Sequence, residues 1–82
     1  AGSRVNVDIS NFTLPSITVS VGTTVVWTNR DGAAHTSTAD SGKWRSGLLS
    51  TGESFSYTFT EKGSFSYHCE PHPSMKGTIT VS

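Results

Sequence analysis

The sequence predicts an all-β domain built as an antiparallel β-sandwich. Three observations carry that prediction: short runs in which apolar and polar residues alternate with a period of two, turn residues between those runs, and the absence of helical periodicity. The 82 residues make one domain, 1–82, with no internal repeat, linker or low-complexity tract. A chain this short buries roughly 60% of its unfolded surface, so the core is modest and a bound metal matters to stability.

Taken in order, Val5, Val7 and Ile9 alternate with Asn6, Asp8 and Ser10 and predict a half-buried strand. Asn11 and the Leu14-Pro15 pair break it. Ile17, Val19 and Val21 predict a second strand, stopped by Gly22. Thr24 to Asn29 is denser, with Val25 and Trp27 on one face and Val26 and Thr28 on the other, which suits an interior position in a sheet. Arg30-Asp31-Gly32 is a turn signal. From Ala33 to Thr51 the periodicity fails, and this stretch reads as a long ordered loop with at most one turn of helix, anchored by Trp44, Leu48 and Leu49. Ser54 to Thr60 is the cleanest strand, with Phe55, Tyr57 and Phe59 on one face. Glu61-Lys62-Gly63 turns the chain, Phe65 and Tyr67 resume the alternation, and Gly77 opens a last strand with Ile79 and Val81 inward. Parity places Cys69 on the same inward face as Phe65 and Tyr67, and sends His68 outward.

Formal net charge is zero, and the charges are scattered singly. That argues against a nucleic-acid footprint or a polybasic membrane patch. No apolar run is long enough to span a bilayer. The opening Ala1-Gly2-Ser3 reads as a trimmed or appended terminus. A single cysteine excludes an internal disulfide framework.

The stretch Ser66-Tyr67-His68-Cys69-Glu70-Pro71-His72-Pro73-Ser74-Met75-Lys76-Gly77 holds the only thiol, an imidazole and the only thioether, spaced Cys-x2-His-x2-Met. Thiolate and imidazole are strong ligands for a borderline or soft transition metal, and a thioether is a weak one. Two nitrogens, one sulfur and a distant axial Met make up the ligand set of a blue-copper electron-transfer site. The stretch supplies three of those four donors, and of the three histidines only His35 lies outside it. Taken one at a time, each donor has a plainer reading: Cys69 as a small buried hydrophobe, Met75 as a core filler, His35 as a surface imidazole. Pro71 and Pro73 stiffen the loop around His72, since each fixes its own φ and restricts the residue before it.

The blocks Val21-Gly22-Thr23-Thr24-Val25-Val26-Trp27-Thr28-Asn29-Arg30-Asp31, His35-Thr36, Phe65-Ser66-Tyr67-His68-Cys69, His72, and Met75-Lys76-Gly77-Thr78 resemble the cupredoxin family. The resemblance covers roughly residues 17 to 82; the short Cys-to-Met loop is most similar to the amicyanin branch, and the whole chain looks plastocyanin-like. It implies a Greek-key β-sandwich and one copper ion, cycling between Cu(I) and Cu(II), with His35, Cys69, His72 and Met75 as ligands. Thr36 stands where many members carry Asn, and Glu70 follows Cys69 where Thr or Ser is frequent; these side chains often tie the two ligand-bearing loops together.

Zinc competes for Cys and His, but a structural zinc site wants four strong ligands in paired spacing, and no second cysteine exists. The order Tyr67-His68-Cys69 also resembles copper nitrite reductase, where the histidine before the cysteine serves a second, catalytic copper; that enzyme needs further histidines, which this chain lacks. Such a domain of a larger copper oxidase, or a copper-trafficking protein, is the alternative to a blue-copper carrier. No catalytic triad, phosphate loop or paired-carboxylate motif is present, so no enzyme activity is expected. The expected partners are redox proteins docking at an apolar patch around His72, with Ala33, Ala34, Pro71 and Pro73 as its neighbours. Zero net charge favours apolar contact over electrostatic steering. The resemblance implies a monomer in a periplasmic or otherwise extracytoplasmic setting, with no direct membrane insertion.

Overall fold

The computed structural model describes residues 3–82; Ala1 and Gly2, read above as part of a trimmed or appended terminus, lie outside the described residues. Seven strands follow in chain order: β1 (Arg4–Ile9), β2 (Ile17–Val19), β3 (Thr24–Asn29), β4 (Thr38–Ala39), β5 (Ser54–Thr58), β6 (Gly63–His68) and β7 (Lys76–Val81). They form two sheets, β1-β3-β5 and β2-β7-β6-β4, packed as a sandwich. Among the described residues there is no helix.

Alternation in the sequence becomes the division between inside and outside. In β3, Val25, Trp27 and Asn29 are buried while Thr24, Val26 and Thr28 are half-buried. In β7, Gly77, Ile79 and Val81 are buried. β3 is the central strand of its sheet, as its two-sided apolar character predicts, with Trp27 opposite Val7 on one side and Phe55 on the other. The ladders of β3 with β5, β4 with β6, and β6 with β7 are antiparallel. Those of β1 with β3 and β2 with β7 are parallel, so the sandwich is mixed in sense. A period of two is common to both senses and does not distinguish them.

Three details of the long middle segment differ from expectation. Thr38–Ala39 forms the short edge strand β4, paired to His68 and Tyr67. His35 and Leu49 form an isolated bridge that pins the loop across its width. Leu49 is buried, whereas Leu48 is 66% exposed, so only one of the two expected leucine anchors packs inward. Beyond that segment, β2 ends at Val19 and leaves Val21 exposed, because Ser20 already turns back to accept the Thr23 amide.

The core is aromatic. The Trp27 ring stacks on Trp44 at 5.7 Å and on Phe55 at 6.0 Å, and meets Tyr67 edge-on at 5.6 Å. Burial pushes the Tyr67 phenol up to about 12, and its hydroxyl donates to the Pro15 carbonyl. That reach depends on the residue opposite Tyr67 in the ladder, Gly77. A Cβ on Gly77 would lie 2.8 Å from Pro15 O, 2.8 Å from Tyr67 Cε1 and 3.0 Å from Leu14 O. Two of those atoms are backbone and cannot swing aside. Gly77→Ala is therefore expected to destabilise the metal-free protein by about 1–3 kcal/mol, as overpacking does. Thermal melting checks it; an unchanged midpoint would mean that the Leu14-Pro15 segment yields without cost.

Candidate metal centre

Two connections at one end of the sandwich supply the site. The first leaves β6, whose inward parity carries from Tyr67 to Cys69; both are fully buried. From Cys69 the chain closes a seven-residue turn on itself. His72 N donates to Cys69 O (3.2 Å), Met75 N to His72 O (2.9 Å), and Cys69 N to Met75 O (3.1 Å). Each of these bonds joins two of the three donor-bearing residues, so the turn is braced by its own backbone.

The second connection follows β3. Asn29, fully buried at the strand's end, donates from Nδ2 to Ala33 O (2.8 Å) and Leu49 O (2.7 Å), and its Oδ1 accepts the Asp31 amide (2.9 Å). This staple turns the chain so that His35, also fully buried, pairs with Leu49 through both backbone groups at 3.1 and 2.8 Å.

The two connections bring His35, Cys69 and His72 together, with their donor atoms all within 4.8 Å of one another. Cys69 Sγ lies 3.6 Å from His35 Nδ1 and 3.7 Å from His72 Nδ1. These spacings suit a shared metal. Bonds of about 2.0 Å to nitrogen and about 2.3 Å to sulfur, meeting at about 110–120°, would hold N and S about 3.5–3.7 Å apart. Met75, buried, closes the same turn. The Thr36 amide donates towards Cys69 Sγ from 3.4 Å.

The tie between the two connections exists, although neither residue is the common family choice. Thr36 Oγ1 accepts the Glu70 amide at 2.8 Å. The Glu70 carboxylate in turn accepts Arg45 Nε at 3.1 Å and Arg45 Nη2 at 3.0 Å, with the Thr38 hydroxyl at 3.4 Å. A bidentate Arg–carboxylate pair fixes orientation as well as distance.

His68 points outward as its parity requires, half-buried, and its Nδ1 pairs with Asp40. Among the described residues, the one cluster of three or more His, Cys, Asp or Glu side chains able to share a metal is His35, Cys69 and His72. His68 thus has a carboxylate partner.

Two residues at this end were not singled out from the sequence. Asp31, read as part of a turn and as the end of one family-like block but given no role, places Oδ2 2.9 Å from His35 Nε2. The Phe12 amide, foremost, holds the Asp31 carboxyl below its ordinary value, with the His35 ring and Asn11 amide adding to this against partial desolvation. Phe12, 52% exposed, sets its ring edge-on to both imidazoles, at 5.0 Å from His35 and 5.1 Å from His72. An aromatic in a strand break carries no periodic signal, and an Asp before Gly is ordinary turn chemistry.

Residues 4–82 match the family model of copper binding proteins described as the plastocyanin/azurin family. The chain is 34% identical over 88 residues to amicyanin from Paracoccus denitrificans, covering 99% of this chain and 67% of that one. For amicyanin from Paracoccus versutus the figures are 29% identity and 62% of its length. Plastocyanin from Scenedesmus fuscus is 39% identical over 83 residues, covering 85% of each chain. Among solved structures, an oxidised amicyanin variant superposes with a TM-score of 0.86 at 31% identity, over 98% of this chain and 83% of the other. A purple cupredoxin from Nitrosopumilus maritimus gives 0.79 at 30% identity, over 98% and 99%.

Proposed function

The chain belongs to the plastocyanin/azurin family of copper binding proteins, and on that premise we propose that it acts as a single cupredoxin domain whose one copper is held by His35, Cys69, His72 and Met75. It is a blue-copper electron-transfer protein, a carrier rather than an enzyme, as its amicyanin and plastocyanin relatives indicate. The observation that carries the reading is the donor spacing, with both Nδ1 atoms within 3.7 Å of one buried thiol. Bound copper supplies a one-electron couple, Cu(I)/Cu(II), and soft sulfur donors favour the reduced ion.

The residues do the rest. Thr36 N–H donates to the Cys69 sulfur, and the backbone-braced turn keeps Cys69, His72 and Met75 in one arrangement whichever oxidation state is held. His35 and Cys69 are fully buried, whereas His72 is partly exposed and is the edge through which electrons enter and leave. Pro71 and Pro73 flank His72 in the chain, the exposed Phe12 ring lies 5.1 Å from it, and Ala33 and Ala34 are the further neighbours this reading expects. With zero net charge, redox partners dock there by apolar contact, and the protein works as a monomer. An extracytoplasmic setting, periplasmic in a bacterium, suits this reading. No helix among the described residues is long and apolar enough to cross a membrane.

Voltammetry of the copper-loaded protein tests the assignment and should give one reversible one-electron wave. Met75→Leu removes a weak donor to Cu(II) and should raise the potential; Met75→Gln offers a harder oxygen and should lower it. Each tenfold change in the Cu(II)/Cu(I) affinity ratio is worth about 59 mV. A potential unmoved by both substitutions would exclude Met75 from the ligand set.

A further inference from the structure

Asp31 is held far more firmly than a surface turn residue requires. Its Oδ1 accepts the Asn11 amide at 2.8 Å, and its Oδ2 accepts the Phe12 amide at 2.9 Å. Its own amide donates to Asn29 Oδ1 at 2.9 Å, and its carbonyl accepts the Thr51 hydroxyl. Asn11 and Phe12 both adopt φ 53°, and they are the non-glycine residues with positive φ among those described. Asn tolerates that region, but for a bulky residue it is a strained outlier. Two consecutive amides turned this way form a concave anion cradle. The backbone strain is thus concentrated at the one place where both amides converge on the Asp31 carboxylate.

That carboxylate faces the His35 ring. A carboxylate only accepts, so the proton of the neutral imidazole resides on Nε2, 2.9 Å from Asp31 Oδ2. Nδ1 is left with its lone pair directed to the cluster, 3.6 Å from Cys69 Sγ. A carboxylate behind a metal-binding histidine fixes its tautomer and ring orientation and makes it a stronger donor.

We propose that Asp31, seated in the amide cradle of Asn11 and Phe12, is the positioning residue of this copper site: it sets the His35 tautomer in the metal-free protein and favours Cu(II) once copper is bound. The second half rests on the copper reading above; the first does not.

Asp31→Asn keeps the shape and removes the charge. Cu(II) affinity should fall about 10–100-fold, as for comparable outer partners of metal ligands. Cu(I), less demanding of a basic donor, should lose less, so the potential rises by about 59 mV for each tenfold of difference. In the metal-free protein, NMR should show the His35 Nε2 proton exchanging faster with solvent than in the parent. Asn11→Pro removes one cradle amide and forbids φ 53°, so it should shift the potential in the same direction. Combined with Asp31→Asn it should add nothing, because both act through the same carboxylate. An Asp31→Asn protein with the parent's potential and the parent's His35 proton protection overturns the proposal, as does full additivity in the double variant. If Asp31→Asn fails to hold copper, Asn11→Pro alone decides, and an unmoved potential there overturns it. Failure of the parent to bind copper would sink the functional reading yet leave the metal-free NMR comparison to judge Asp31.

Discussion

Cys69→Ala is expected to abolish the visible absorption of the copper-loaded protein outright. The band of a blue site is a thiolate-to-copper charge transfer, and this chain has one thiol. That thiol is fully buried, lies within 3.7 Å of both imidazole donors, and receives the Thr36 amide. Without it the proposed donors are two neutral imidazoles and a neutral thioether, with no anionic ligand to balance the metal's charge. Cu(II) affinity should fall by more than the about 100-fold typical of changes one shell further out. The fold should survive, because the chief loss in the metal-free protein is the acceptor of one amide, worth about 1 kcal/mol. Optical titration with Cu(II) and a metal-free thermal melt separate the two effects. A band that persisted in the variant would mean a different donor set.

Trp44→Ala should produce the largest loss of stability. The ring is buried, stacks on Trp27 at 5.7 Å, and lies 5.3 Å from Tyr57 and 5.1 Å from Phe59. Its Nε1 donates to Ser37 Oγ at 2.9 Å, and its carbonyl accepts the Ala39 amide at 2.9 Å. It therefore anchors the middle segment to the core and to the stretch that carries His35 and Thr36. Truncating a buried Trp costs about 3–5 kcal/mol. For 82 residues, the whole stability amounts to about 4–12 kcal/mol. The metal-free melting temperature should fall by at least about 12 °C. A loss below about 1 kcal/mol would show that the neighbouring rings collapse into the space.

What was legible in the sequence was what is encoded locally. The alternation of β1, β3 and β7 gave strands and faces, and parity alone sent Cys69 inward and His68 outward. The Cys-x2-His-x2-Met spacing set a thiol, an imidazole and a thioether in one turn, and His35, which lies 3.6 Å from Cys69 Sγ, stood out because so few histidines compete with it. Other features depend on contacts remote in sequence. The parallel sense of β1 with β3 is a property of how the sheets close, not of either strand. β4 is two residues long and is a strand only because His68 and Tyr67 lie beside it. Of the adjacent Leu48 and Leu49, the one that faces inward is chosen by the bridge to His35. Asp31 acquires its role from Asn11 and Phe12, about 20 residues earlier in the chain, which no local pattern links to it.

The self-braced turn from Cys69 to Met75 bears on how the metal is linked to folding. Its proposed donors lie within seven consecutive residues, so a denatured chain keeps a short chelating segment even when both sheets are gone. Copper then has affinity for both states, and it favours the native one chiefly through what His35, 34 residues before Cys69, adds after the sandwich closes. Metallation can thus precede folding at the C-terminal end of the chain. The stabilisation copper confers on the native state is correspondingly smaller than the total affinity of the finished site.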